Sequence, residues 1–219
     1  MLIRNLLIIL SVGITLGLGG FWLSNSQAIL PNNYTHTTLL AQETMLKKLK
    51  SALDKCIKDS RSYFSLEGLK ERETVKNIIQ QIDDPFWEKL NPLENFFALE
   101  IVPEIKQKAS PNTVAQAYCT ALEQLPSDWW GLPGGTPSES GEHLLKIPNI
   151  QACLSQLLNN TNSLNYLDGE ARTLTKVHQW QISDLAASFL LTLSDQEYSA
   201  DASVEERNII KKQLQNSNQ

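Results

Sequence analysis

Three dipeptides, Asp84-Pro85, Asn91-Pro92 and Ser110-Pro111, constrain the fold of this chain more than any other feature. Each sets a capping side chain before a proline. Proline at the first helical position lacks only an N–H that would have no intrahelical partner anyway, so each pair reads as a helix start. Between and around them the apolar residues recur at three- and four-residue steps. Met45, Leu46, Leu49, Leu53, Cys56 and Ile57 predict a helix over 40–58. Leu66, Leu69, Val75, Ile78, Ile79 and Ile82 predict a second, weakened by Gly68.

The helix opened by Asn91-Pro92 has Glu94 at the capping-box position, buries Phe96, Phe97 and Ile101, and should break or kink at Val102-Pro103. The one opened by Ser110-Pro111 carries Val114, Ala117, Tyr118, Ala121, Leu122 and Leu125 on one face and stops at Pro126. Ile150, Cys153, Leu154, Leu157 and Leu158 predict a helix within 148–159. Ser183 is read as the cap of a helix running to 193, apolar on all sides and so central to the core. Ser203 and Glu206 form a capping box for a helix over 204–214. Residues 164–182 fit either a short hairpin near 164–176, turning at Asp168-Gly169, or a helix through Leu174, Val177 and Leu185. The fold expected is all-α: a single irregular bundle of six to eight helices over 39–215, with a disordered tail at 216–219.

Residues 115–126 (AQAYCTALEQLP) resemble the second half of a tetratricopeptide unit, in which small and aromatic residues pair ahead of a closing proline. An array would need the pattern again about 34 residues away. Residues 83–92 and 149–160 lack it, so no repeat array is expected.

The N-terminus carries an address. Arg4 precedes an uncharged apolar run over 5–23, and Ser26-Gln27-Ala28 sets small residues at a cleavage position. Residues 1–28 are thus a signal peptide or a membrane anchor. The run is longer than the roughly 7–15 residues of a usual signal core and reaches the roughly 17–25 of a membrane span. Cleavage is favoured. If the segment is uncleaved, residues 5–23 engage the membrane. With Arg4 ahead of the run and no Lys or Arg over 24–46, the remainder is expected outside the cytoplasm, in a periplasm or equivalent lumen, behind a tether at 29–38.

Charge narrows the partners. The whole chain carries −5; removing 1–28 takes away Arg4 and leaves −5 − 1 = −6. Such a balance gives no footprint for nucleic acid. Lys47, Lys48 and Lys50 are read as one solvated helix face.

Export makes the three cysteines informative, because an oxidising compartment favours a disulfide. Cys119 and Cys153 flank a Pro/Gly-rich stretch, and closing that loop would remove roughly 3–4 kcal/mol of unfolded-state entropy. Spacing leaves all three pairings open, as well as none, since Cys56 and Cys153 fall on apolar helix faces. There is no Cys-x-x-Cys, and His36, His143 and His178 are scattered, so neither a metal nor another cofactor is expected.

The stretch 126–147 (PSDWWGLPGGTPSESGEHLLKI) is the one long loop expected, and such loops are usually functional or disordered. Its candidate binding residues are Trp129 and Trp130 as an apolar platform, with Glu139, Glu142 and His143 beside them. The plainer alternative has one tryptophan plugging the core and the charges solvated. No Gly-x-Ser-x-Gly, Ser-x-x-Lys, His-Glu-x-x-His or Walker-type sequence occurs, so no catalytic residue is assigned. The function expected is that of an exported, non-catalytic binding or assembly protein with a protein partner in an extracytoplasmic complex. The alternative is an enzyme acting on a cell-envelope polymer through 126–147.

Overall fold

The computed structural model describes residues 33–60, 63, 65–82, 85–167 and 169–217. Over these residues the chain is all-α, with nine helices and no sheet. The targeting segment and Asp84 lie outside the described residues. No helix among the described residues is long and apolar enough to cross a membrane.

Helix α1 (Asn33–Lys58) begins inside the stretch expected as a tether and buries Leu49 and Leu53. Helix α2 (Leu66–Ile79) is capped by Ser65, whose Oγ accepts from the Gly68 amide at 3.3 Å. After Pro85 the chain makes a 3-10 turn, Phe86–Lys89, with Phe86 in the core. Helix α3 (Pro92–Ile101) starts at the expected capping box: the Glu94 amide donates to Asn91 Oδ1 at 2.9 Å, and the Asn91 amide donates to Glu94 Oε2 at 2.8 Å. It ends at Val102, and Pro103 opens a 3-10 turn, Pro103–Gln107. Helix α4 (Pro111–Gln124), capped by Ser110, buries Val114, Ala117, Tyr118, Ala121 and Leu122 as its periodicity requires.

The stretch expected as a structureless loop folds instead into a 3-10 turn, Ser127–Trp129, a bridge between Gly131 and Pro137, and helix α5 (Glu139–Leu145). Helix α6 (Ile150–Leu157) follows. The hairpin near 164–176 does not form: residues 169–178 are helix α7 (Gly169–His178). A lone two-stranded hairpin is marginal in water, whereas a helix satisfies its backbone within itself. The extended residues before it pair onward, Leu164 N to Trp180 O at 3.0 Å and Ile182 N to Asn162 O at 2.9 Å. Helices α5 and α7 bring the number to nine rather than six to eight.

Helix α8 (Ile182–Thr192) is buried from Ile182 to Leu191 and lies at the centre of the core. Its cap is Gln181 rather than Ser183: the Gln181 amide donates to Asp184 Oδ2 at 2.8 Å, and Ser183 sits within the helix. Helix α9 (Val204–Ser217) starts at the Ser203/Glu206 capping box and runs through the first residues of the expected tail.

The helices pack in a relay: α1 and α2 on α3, α3 on α4, α4 on α6, α6 on α8, and α8 on α9. The last joint is ionic. Asp184, fully buried, accepts from Arg207 Nη1 at 2.6 Å, Lys211 Nζ at 3.0 Å and the Tyr198 hydroxyl at 2.6 Å. With the Gln181 amide, both its oxygens are satisfied, which is what makes a buried carboxylate tolerable.

Candidate functional site

Trp129 and Trp130 do not form an exposed platform. They are 3% and 1% exposed, and both rings pack on Phe96 at centroid distances of 5.4 and 5.6 Å. Two rings of this size gain more from joining the α3 aromatic cluster than a surface position would return. Their burial draws 126–147 onto the core, and glycine permits the close approach. A Cβ at Gly141 would lie 2.8 Å from the Trp130 carbonyl oxygen, and Gly131 holds φ +88° with Thr136 O against it. Ser138 caps α5, accepting from the Gly141 amide at 3.2 Å, and its own hydroxyl donates to the Trp129 carbonyl.

So anchored, α5 splits the three candidate polar residues. Glu142 is exposed and pairs with Lys146 one turn on, at 3.7 Å. Glu139 and His143 instead line a groove of about 430 Å³ between α2, the end of α3 and α5, with Tyr63, Arg72, Glu73 and Lys76. Arg72 lies over the Tyr63 ring, 4.8 Å from its centroid. Neither tryptophan lines the groove.

The groove is lined as well by a residue that does not stand out in the sequence. Glu100, whose side chain is 7% exposed, accepts from the Tyr118 hydroxyl, from Ser140 Oγ at 2.9 Å and from His143 Nδ1 at 3.0 Å, and pairs with Lys106 at 3.6 Å. Its signal was a carboxylate at the end of the otherwise apolar run FFALEI. Burial, and then the Glu100 charge, push the Tyr118 phenol far up, so it stays protonated and donates. Burial lowers Lys106 from the usual lysine value while Glu100 works against that shift.

The arrangement orients His143. Donation from Nδ1 to a buried carboxylate leaves the lone pair of the neutral ring on Nε2. Ser140 donates to Glu100 and not to the imidazole, so the three residues do not form a serine–histidine–carboxylate relay, in which the imidazole takes the hydroxyl proton.

A second cavity of about 430 Å³ shares His143 and Pro103 with the groove and is otherwise lined by Lys106, Lys146 and apolar side chains.

Elsewhere, Cys119 and Cys153 are disulfide-bonded across α4 and α6, with Cα atoms 6.3 Å apart. Cys56 is a free, buried thiol, pushed up to about 11 by burial. His178 stacks on Trp180 at 5.2 Å. Among the described residues no group of three or more His, Cys, Asp or Glu is placed to hold a metal ion. No protein-family model matches the chain, and no curated protein or solved structure matches it either.

Proposed function

We propose that this is an exported, non-catalytic helical domain that binds a protein partner in an extracytoplasmic complex, using the groove between α2 and α5. The observation that carries the reading is the spending of Glu100. The buried carboxylate, the Ser140 hydroxyl, the Tyr118 phenol and His143 Nδ1 are committed to one another, which builds a rigid wall. The rim that remains is a mixture of charges, Arg72, Glu73 and Lys76 from α2 and Glu139 from α5. Alternating charges on a rigid wall suit recognition of a complementary protein surface. The Cys119–Cys153 disulfide suits the exported compartment.

The test is the native size of the protein in extracts of its host, for wild type, Arg72→Glu and Glu139→Lys. Wild type is expected to migrate well above the mass of a single chain, and each charge reversal to shift it toward the monomer with its melting temperature kept. Wild type found only as a monomer would overturn the reading.

One observation favours a second reading, an enzyme on a cell-envelope polymer: the His143–Glu100 pair, with His143 half-buried in the wall shared by the two cavities. That reading expects His143→Ala and Glu139→Ala to abolish polymer hydrolysis by a protein that remains folded. It fails if wild type releases no fragments from purified envelope polymer.

A further inference from the structure

The cavity on the far side of His143 differs from the groove in its chemistry. Its walls are apolar, made by Val114, Ile147 and prolines that include Pro103, and its ionisable lining residues, Lys106, His143 and Lys146, are all basic. At about 430 Å³ it falls within the range of small-molecule sites, roughly 300–1,000 Å³. The walls are firm: Val114 and Ile147 are buried, and α4 is fixed at its start by the Ser110 cap.

We infer that this slot binds a small amphipathic carboxylate, with an apolar body against Val114 and Ile147 and its anionic end at the lysines. Charge complementarity chooses the occupant. The cavity lining holds no acid: Glu100 is buried behind Lys106 and His143, Glu142 pairs with Lys146 at 3.7 Å, and Glu139 lies on the groove side of α5. Lys106 is already largely stripped of water, its side chain 23% exposed, so an arriving carboxylate has little hydration to displace there. A neutral body of the same shape would leave the half-buried ammonium with only the partners it already has, Glu100 and the Tyr118 ring 5.1 Å away, and a cationic one would meet like charge. This inference does not depend on the assembly reading, since the slot would fill whether or not a partner occupies the groove.

The protein isolated from its host is titrated calorimetrically with octanoate, 1-octanol and octylammonium. Octanoate is expected to bind saturably at one site, about tenfold more tightly than octanol, with octylammonium weaker still. Lys146→Glu, at a side chain 73% exposed where the fold is not at stake, should weaken octanoate about threefold or more and leave octanol unchanged. Val114→Phe, which fills the slot, should abolish both, with its far-ultraviolet spectrum and melting transition checking that it folds. Octanol binding as tightly as octanoate, or octanoate binding unaltered in Lys146→Glu, would overturn the inference. So would the absence of saturable heat at millimolar octanoate.

Discussion

At the scale of single residues, Glu100 is where the chain concentrates its polar interactions. Four partners from three different segments, Lys106, Tyr118, Ser140 and His143, meet on one buried carboxylate. Glu100→Gln keeps the shape and loses the charge, and it keeps one accepting oxygen where two now accept, Oε1 from Tyr118 and His143 and Oε2 from Ser140. It should lower stability by about 2 kcal/mol, the scale of a charged hydrogen bond, read as a fall in the urea midpoint. The site was legible only in part for the same reason. His143 and Glu139 stand out in a loop rich in glycine and proline, but Glu100 lies 43 residues from His143 and reaches it only once α3 and α5 pack. The tryptophans misled because a Trp-Trp pair suits a ligand platform and a core plug equally well in sequence. Phe96 and Phe97, which decide between the two, belong to another helix.

At the scale of elements, the helix starts were the most legible feature, because capping is local chemistry: Asn91 with Glu94, Ser110 with Thr113 and Ser203 with Glu206 each lie within four residues. Glu206 shows what such a cap does with pH. Hydrogen bonds from the Ser203 amide and hydroxyl hold its carboxyl below the usual 4.5. A lowered carboxyl in the folded state stabilises above the ordinary value, and that contribution fades as pH falls through the lowered one. The first turn of α9 should therefore fray on acidification below about 4.5 in wild type, with amide exchange as the readout, and Glu206→Gln should not show this step. The hairpin expectation failed because Asp168-Gly169 reads as a turn by itself, whereas the structure uses the glycine to enter α7. Between elements, the disulfide holds α6 to α4 across a separation of 34 residues. Cys153→Ser should cost roughly 3–4 kcal/mol in the chain-entropy account, measured as a urea-midpoint difference that disappears when wild type is reduced.

At the scale of the whole molecule, the relay of helices has its covalent staple at the α4–α6 joint and its ionic latch at the α8–α9 joint. Helix α9 places Arg207 and Lys211 in the core, where both meet Asp184, beside the packing of Ile210 and Leu214. Asp184→Asn would leave both cations without their counter-charge and should cost about 3–5 kcal/mol, with α9 amides losing exchange protection before those of α3 and α4. The latch was hidden from the sequence, where Arg207 and Lys211 look like the solvated face of a polar helix. Whether the protein is an exported domain held by one disulfide can be read from its intact mass when it is taken from its host, denatured and alkylated without reduction. A single thiol adduct is expected, on Cys56, with Cys119 and Cys153 bridged, on a chain beginning at Ile29 or, if the anchor is retained, on the full chain in the membrane fraction. Three adducts on a full-length chain recovered from the cytosol would contradict it.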